Sequence, residues 1–283
     1  LDGVATIAPK AFQKAGITSV TLPDSLRTIK DEAFRLSALT AVTLPEKFET
    51  VGTCAFCSAD KLASIDLGGT ISLGGSAFES TSAKAGVNFR PELGRLTTIG
   101  DFAFSRTAQS SVSLPDSVTT VGEQAFSEST ALTSFHIGAG VTSFAETALY
   151  NDRKIATLTA SADNPVYSAE HNVLYRKADD GLHLMLSPAA NTLTDYTVRA
   201  GTVEIGASAF ANNKTLTRVV LPEGLKVIGD DAFAGTTALT ELVIPESVER
   251  SSGVTGNSLE LVEYGSKVTS IRMEGSWVPM PRR

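Results

Sequence analysis

The chain repeats the dipeptide Ala-Phe at a nearly constant interval, and this interval constrains the fold more than any other feature. The first three steps from one such phenylalanine to the next are 22 residues each, and later steps are 26, 22 and 23 residues. A fixed interval of this length indicates one supersecondary unit copied along the chain. The phenylalanines are Phe12, Phe34, Phe56, Phe78, Phe104, Phe126, Phe210 and Phe233.

Two further markers keep the same interval. An aliphatic residue precedes proline, as in Leu44-Pro45, and an aliphatic-glycine pair such as Val51-Gly52 precedes most Ala-Phe pairs. Ahead of the proline, Val42 and Leu44 alternate with Ala41 and Thr43, which is the period of a strand. A repeat of roughly 20–29 residues with aliphatics spaced in this way is typical of leucine-rich repeats.

A single unit cannot bury its apolar side chains, so the units must stack and form ladders of like residues. The sequence therefore predicts a β-rich α/β repeat fold. We expect a leucine-rich-repeat solenoid with a curved parallel β-sheet on one face and short strands or helical turns on the other. Residues 31–34 and 230–233 are predicted to lie on that other face.

The interval fails once in the middle of the chain. From Leu149, which takes the place of a phenylalanine, to Phe210 the step is 61 residues. Two apolar runs flank Asp179-Asp180-Gly181 in this segment, a pattern that predicts a β-hairpin. We interpret the segment as one β-hairpin variant repeat.

The predicted organisation is a single solenoid over residues 1–283. Regular repeats span about 4–150 and 200–250, the hairpin variant about 155–200, and a degenerate C-terminal repeat or cap about 251–283. Because the sequence opens inside a repeat, we expect a mature chain or a fragment of a longer one.

Composition excludes several classes of partner. The net charge of −7 argues against nucleic acid, because phosphate binding needs a basic surface. It also argues against docking on an anionic membrane. No segment approaches the roughly 18–20 apolar residues of a membrane-spanning helix, so we expect no membrane insertion. No phosphate-loop or dinucleotide motif occurs, and no cofactor is expected.

The repeat pattern resembles a known family. The series Leu114-Pro115-Asp116-Ser117-Val118, Val121-Gly122 and Ala125-Phe126 is similar to the BspA-like leucine-rich repeat of bacterial cell-surface proteins. Asn164-Pro165-Val166-Tyr167, followed by Val173-Leu174-Tyr175, resembles an insertion that recurs in that family. The resemblance covers roughly residues 4 to 271. It implies a surface or secreted protein, in some members an adhesin, and supplies no catalytic residues.

The two cysteines, Cys54 and Cys57, have the spacing of a redox or metal half-site. Two cysteines are too few for a disulfide scaffold, and a tetrahedral zinc site would need two more ligands. We predict that they are structural, with Cys57 packed in the core, since a free cysteine behaves as a small buried hydrophobe.

The histidines give no catalytic or metal site. His136 alternates with Phe135 and Ile137, so it should project from the open face of the sheet, whereas His171 and His183 belong to the variant repeat. None has a partner at metal-ligand spacing, and no nucleophile elbow occurs. No catalytic, metal or cofactor residue is therefore predicted.

The outward strand positions are the candidate binding surface. Most of them carry small hydroxyl side chains, as in Ser111 and Ser113, and aromatic anchors are nearly absent. A solvated sheet face explains this composition, and a broad protein-binding face is the alternative. The residues that depart from the pattern are the candidate ligand-binding set: His136, Arg218, Val220, Glu241 and Val243.

Three functions remain open, in this order: a non-catalytic, adhesin-like binding module, a structural spacer that displays other domains, and an enzyme. The expected ligands are proteins, either host extracellular or matrix proteins or other bacterial surface proteins. We expect a monomer at the cell surface or secreted, a location that follows from the resemblance alone.

Overall fold

The structure, a computed structural model, describes residues 3–251 and the backbone of three short strands beyond them. At Glu241 it likewise describes the backbone alone. The chain divides into two units, of which the first comprises Leu1–Asp152 and Ser161–Pro165 and the second Arg153–Ala160 and Val166–Arg283. One solenoid over the whole chain stays a prediction.

The repeats of the first unit contribute two kinds of strand, rich in the β-branched residues that strands favour. One kind has two residues and lies at the position of the aliphatic-glycine marker. The other has two to four residues and lies after the Ala-Phe pair, in two repeats just before the Leu-Pro proline. In chain order the strands are β1 (Thr6–Ile7), β2 (Thr28–Ile29), β3 (Ala41–Thr43), β4 (Thr50–Val51), β5 (Ser64–Asp66), β6 (Ser72–Leu73), β7 (Val87–Asn88), β8 (Thr98–Ile99), β9 (Ser111–Ser113), β10 (Thr120–Val121), β11 (Ser134–Ile137) and β12 (Ser143–Phe144).

Strands of one kind from successive repeats pair in parallel. The two-residue strands form one seven-stranded sheet in the order β1-β2-β4-β6-β8-β10-β12. The other kind forms the sheet β3-β5-β7 and the parallel pair β9-β11. From the second repeat on, each repeat of the first unit contributes one strand of each kind, which confirms a leucine-rich-repeat β-solenoid of parallel strands.

Two details of the predicted fold are wrong. The α component is not found: within residues 3–251 the helical content is one 3₁₀ turn at Pro91–Leu93. The longest sheet lies at the aliphatic-glycine marker, whereas the strands before the proline, where we expected it, are divided between shorter sheets.

The segment that carries Ala-Phe, here called the Ala-Phe arc, shows why no helix forms. In the arc at residues 31–36, the amides of Glu32, Phe34 and Leu36 donate to carbonyls of the next repeat at 3.0, 2.7 and 3.1 Å. The intervening amides of Ala33 and Arg35 donate to the carbonyl three residues earlier, at 3.3 and 3.2 Å. Half of the amides therefore leave the arc, and an α-helix cannot propagate.

Each Ala-Phe arc also contains left-handed backbone at two positions four residues apart. In the second repeat these are Glu32, with φ of 56°, and Leu36, with φ of 58°. Left-handed conformations cost roughly 1–2 kcal/mol for residues other than glycine. The same pair recurs at Lys10 and Lys14, Cys54 and Ser58, Ser76 and Ser80, Phe102 and Arg106, Gln124 and Glu128, Ser208 and Asn212, and Asp231 and Gly235.

The phenylalanines stack in a column through the first unit. Successive ring centroids lie 5.0–5.5 Å apart and the rings are within 14° of parallel. Phe12, at the start, is 39% exposed, whereas the other members are buried. Full burial of such a side chain stabilises the fold by roughly 1.5–3 kcal/mol, so the column is a main source of stability. Its members are Phe12, Phe34, Phe56, Phe78, Phe104 and Phe126.

A buried polar column runs beside it, three residues after most of the phenylalanines or their replacement; alanine takes this position after Phe12 and Phe56. The hydroxyls of Thr81 and Thr107 donate to the carbonyl three residues earlier, at 2.8 and 3.0 Å. Two repeats after Thr107, the column contains Asp152, whose Oδ1 accepts a hydrogen bond from the Ser129 amide at 2.7 Å. Its Oδ2 has no hydrogen-bond partner in the described part of the chain, and burial raises the pKa of Asp152 to about 8.

The second unit combines parallel and antiparallel pairing. Its strands are β13 (Thr157–Ala160), β14 (Tyr167–Glu170), β15 (Val173–Ala178), β16 (Gly181–Leu186), β17 (Asp195–Thr197), β18 (Thr202–Ile205), β19 (Arg218–Val220), β20 (Val227–Ile228), β21 (Glu241–Val243), β22 (Arg250–Ser251), β23 (Leu261–Glu263), β24 (Ser270–Met273) and β25 (Ser276–Pro279). Strands β14, β15 and β16 pair antiparallel, and β18, β20 and β22 continue that sheet in parallel. A second sheet has the order β17-β19-β21-β23, and β24 pairs with β25.

The antiparallel strands occupy the segment for which the sequence predicts a variant repeat. Strands β15 and β16 are joined at Asp179-Asp180, and Tyr175 and Leu184 point into the core. The hydroxyls of Tyr175 and Tyr196 share a buried hydrogen bond of 2.6 Å. The predicted C-terminal repeat or cap at 251–283 falls mainly outside the described residues.

Candidate binding surface

The outward strand positions are those that the alternation predicts. In β19, Val219 is 1% exposed, whereas Arg218 is exposed and Val220 is half-buried. In β21, Leu242 is fully buried and Val243 is 42% exposed. A strand with one face on the core presents every second side chain to solvent, so these positions are available to a ligand.

Parallel pairing of β19 with β21 brings four candidate positions together. Arg218 lies opposite Glu241, and Val220 lies opposite Val243. We call Arg218, Val220, Glu241 and Val243 the outer patch. The side chain of Glu241 lies outside the described residues, so its position is known from the backbone register.

The neighbouring strand β17 extends the outer patch. Asp195 lies opposite Arg218, and Thr197 lies opposite Val220; both are exposed. A carboxylate thus flanks the Arg218 guanidinium, while the two valines form an apolar pair beside them. A surface that combines neighbouring apolar and charged side chains has the composition of a binding face, whereas a uniformly polar surface does not.

The remaining candidate, His136, belongs to the first unit. It lies in β11, half-buried and in register with Ser113 of β9. Its neighbours Phe135 and Ile137 are fully buried, so the alternation of the strand places His136 on the side away from the core. The structure places it in a different sheet from the outer patch.

The exposed face of the first unit largely carries hydroxyl side chains. Thr43, Ser111 and Ser113 are exposed. Where charges occur, they pair with each other: Arg90 Nε donates to Asp66 Oδ1 at 2.8 Å. The hydrogen bonds from Arg90 to Asp66 and Glu92 raise the pKa of the Arg90 guanidinium.

A polar cluster on the antiparallel strands has no signal in the sequence. His183 Nε2 lies 2.9 Å from Asp180 Oδ1, and Nδ1 lies 3.2 Å from Glu204 Oε2. Arg176 Nη2 is 3.0 Å from the same Nδ1. The hydrogen bond with His183 lowers the pKa of Asp180. Strand register created this cluster, because the residues lie in the hairpin and in β18, which local sequence does not connect.

The cysteine prediction is partly wrong. Cys57 is buried, with 5% exposed, but neither cysteine is free, because Cys54 and Cys57 form a disulfide. The Cys57 amide donates to the Cys54 carbonyl at 3.2 Å in the Ala-Phe arc, and this tight turn brings the two Cα atoms to 4.7 Å. That separation lies within the range of disulfides, so the arc itself brings the two sulfurs together.

Within the described residues, no group of three or more His, Cys, Asp and Glu side chains is arranged to hold a metal ion. Nor does this part of the chain contain a helix with the length and apolarity to cross a bilayer.

Comparisons with known proteins agree with the geometry. The BspA type leucine-rich repeat region matches residues 2–96, 97–175 and 189–274, in six copies. No curated protein sequence matches the chain significantly.

Several solved structures share the fold. A leucine-rich repeat protein from Eubacterium ventriosum is 23% identical, with a TM-score of 0.67, over 87% of this chain and 62% of that one. This chain thus spans less than two thirds of that protein. A leucine rich cell surface protein from Faecalibacterium prausnitzii is 22% identical, with a TM-score of 0.60, over 86% of this chain and 78% of that one. A leucine-rich repeat protein from Bacteroides ovatus is 20% identical, with a TM-score of 0.58, over 88% of this chain and 72% of that one. From the repeat match, which covers most of the sequence, the chain belongs to the BspA-type leucine-rich-repeat family.

Proposed function

We propose that this chain is a non-catalytic, adhesin-like binding module of a bacterial surface or secreted protein, and that its ligands are proteins. Repeat proteins of this kind generally act as binding or structural modules, and the family that matches the sequence is a repeat family of this kind. A solenoid face suits protein ligands because it offers an extended surface held by a rigid core.

The observation that carries the proposal is the outer patch. Val220 and Val243 lie side by side on adjacent strands, and Val243 keeps 42% of its surface exposed. Arg218 in the next row adds a guanidinium, the side chain that most often anchors protein interfaces together with tyrosine and tryptophan. An apolar pair beside a charged row provides both desolvation and orientation for a protein partner.

The proposed location rests on two observations. The Faecalibacterium prausnitzii protein of similar fold is described as a cell surface protein. The Cys54–Cys57 disulfide is the oxidised form of the pair, and disulfides persist in extracellular and other oxidising compartments. Both support a surface or secreted protein.

A spacer function is the alternative, and the first unit favours it. Its exposed Ser and Thr positions form a face without apolar anchors. Such a surface is soluble and inert, as a stalk that displays another domain requires.

A binding assay with surface-immobilised host matrix proteins, namely fibronectin, laminin and collagen, tests the proposal. The variant carries Val220→Thr and Val243→Thr, which keep the β-branched shape and strand preference but add hydroxyls. The matched control carries Thr43→Val and Ser113→Val on the first unit. We expect wild type and control to bind one of the three proteins, and the variant to bind at least about tenfold more weakly, as hot-spot residues require.

The alternatives predict different results. Equal binding by the variant and wild type would contradict a role for the outer patch. No binding to any of the immobilised proteins, together with intact folding by circular dichroism, would support the spacer function.

A further inference from the structure

The Cys54–Cys57 disulfide lies in an open depression on the surface of the first unit. The depression has a volume of about 560 Å³ and is lined by both cysteines together with charged side chains from the neighbouring arcs. Cys54 is partly exposed, whereas Cys57 is 5% exposed. Cys54 is therefore the more accessible residue of the disulfide.

The fold does not need this bond. The entropy gained from a crosslink grows with the length of the loop it closes, and here two residues separate the cysteines. The backbone already holds the arc, since the amides of Cys54, Phe56 and Ser58 each donate to the next repeat at 2.8 Å. The following arc makes the same three hydrogen bonds, at 2.7, 2.8 and 2.9 Å, without cysteines.

Serine takes the place of each cysteine in other repeats of the first unit. Ser76 is the counterpart of Cys54 and has almost the same φ, 56° against 55°. Ser105 and Ser127 are counterparts of Cys57 and are likewise buried. The disulfide is thus an addition to one arc of a structure that folds elsewhere without it.

From these observations we propose that Cys54–Cys57 is a thiol-exchange site that captures a thiol-bearing molecule reversibly as a mixed disulfide at Cys54. The thiolate of the incoming molecule attacks Sγ of Cys54, a new S–S bond forms, and the Cys54–Cys57 bond breaks. Cys57 leaves as a thiolate and takes a proton from water. The reverse reaction, attack by the Cys57 thiolate on the mixed disulfide, releases the molecule and restores the original bond. No external oxidant is required.

Access determines which sulfur reacts. Exchange requires the incoming sulfur to approach the attacked sulfur in line with the bond, and Cys54 is the more exposed residue of the pair. The charges of the depression select among thiols. Asp31, Glu32 and Glu79 face Arg35 and Arg106, so carboxylates outnumber guanidiniums by one. This balance favours cationic over anionic thiols, and the site does not depend on the proposed protein ligand of the outer patch.

The first measurement uses the wild-type chain without denaturant. Cysteamine, a small cationic thiol, is added in excess, free thiols are alkylated, and the products are counted by mass spectrometry while circular dichroism follows the fold. We expect two alkylated cysteines, or one alkylated cysteine and one cysteamine adduct, in a chain that stays folded. A disulfide that reacts only after denaturant unfolds the chain would overturn the proposal.

Two single variants then identify the reacting sulfur with cystamine, the disulfide of cysteamine. Cys57→Ser leaves Cys54 alone, and we expect a stable cysteamine adduct on the folded protein. Cys54→Ser leaves the buried Cys57, which should react at least roughly tenfold more slowly. Equal rates in the two folded variants would show that access does not direct the exchange and would overturn the assignment to Cys54.

Discussion

The two units fill the same kind of core differently. In the first, a column of phenylalanines passes through successive repeats with almost parallel rings. Among the described residues of the second, Phe210 stacks on Phe233, and the ring of Tyr196 packs against Phe210 with a tilt of 56°. Tyr196 belongs to β17 and lies opposite Val219, so its ring comes from a strand and not from the phenylalanine position. A ring from another inward position of the repeat can therefore pack against the stack where the Ala-Phe series is interrupted.

The exposed faces of the two units also differ in composition. The first unit presents hydroxyls and paired charges, whereas β19 and β21 of the second present valines and an arginine. Since the inward residues of both units are equally buried, core packing does not cause this difference. The composition of the outward positions is free to follow function.

The largest effect is expected from the middle of the phenylalanine column. Phe78→Ala should lower the free energy of unfolding by about 3–5 kcal/mol, because a fully buried ring and its stacking partners on both sides are lost. Phe12→Ala, at the exposed end, should cost less than about 1.5 kcal/mol. Urea denaturation of the two variants measures the difference, and equal losses would show that the column does not act as a cooperative stack.

The buried polar column predicts that the stability of the first unit depends on pH at this position, whereas that of the second unit does not. Asp152 has a raised pKa, to about 8, so the folded state retains a proton that the unfolded chain releases near pH 4. Its stabilisation is complete below about pH 4 and is lost as the pH rises through about 8. The loss should reach a few kcal/mol, since one pKa unit corresponds to about 1.4 kcal/mol.

The counterpart in the second unit is Asn213, which is also fully buried but does not ionise. Its Oδ1 accepts the amides of Thr215 and Leu216, each at 3.0 Å. Asp152→Asn should therefore flatten the dependence of unfolding free energy on pH, and Asn213→Asp should introduce one. Urea titrations from pH 5 to pH 9 measure both; an unchanged slope in Asp152→Asn would assign the pH dependence to other groups.

A smaller, stabilising effect is expected at Gln109. This side chain is fully buried three residues before Val112, where the second unit has Leu216 three residues before Val219. Gln109 Nε2 donates to Thr107 at 3.2 Å, but Oε1 has no partner among the residues described. Gln109→Leu should raise the free energy of unfolding by about 1–3 kcal/mol, the usual cost of an unsatisfied buried polar group. A destabilised variant in thermal and urea unfolding would mean that Oε1 is satisfied in solution.

The smallest effects concern the left-handed positions. Ser80 and Gly235 are counterparts, with φ of 56° and 68°. Ser80→Gly should stabilise the first unit by about 1 kcal/mol, because glycine accepts this backbone without strain. Gly235→Ala should destabilise the second by about as much, and its Cβ would lie 2.9 Å from Asn212 Oδ1. Differential scanning calorimetry of the two variants checks the signs, and a shift of the same sign in both would contradict the prediction.

The features that follow from the repeat period and from strand alternation could be predicted from the sequence. The spacing of Ala-Phe identified the phenylalanine column, and alternation around Val219 and Leu242 identified the outward residues of the outer patch. The left-handed pairs could not be predicted, because they occur at residues as different as Lys10, Leu36 and Phe102, and none of these is a turn former. Hydrogen bonds with the next repeat impose the left-handed conformation, and the local sequence propensity of these residues does not predict it.

The candidate chemistry was visible only in part. The spacing of Cys54 and Cys57 is a sequence property, but their bonding follows from the turn that the arc makes. The cluster around His183 required the register of β15, β16 and β18, which pairs residues distant in the chain. Local patterns therefore locate faces, while pairing between strands decides which side chains meet.

The alternating hydrogen bonds of the Ala-Phe arc give the array a direction. Within each unit, alternate amides of an arc donate to carbonyls of the following repeat, as the Phe34 amide does to the Ala55 carbonyl. Carbonyls of the same arc accept from the preceding repeat, as the Ala33 carbonyl does from the Phe12 amide. Every such junction is heterologous, head to tail, and nearly identical to the next. A repeat can therefore be duplicated or removed as a whole without changing the bonding of its neighbours. The length of the array is then set by gene duplication, and the exposed residues of each copy can diverge independently.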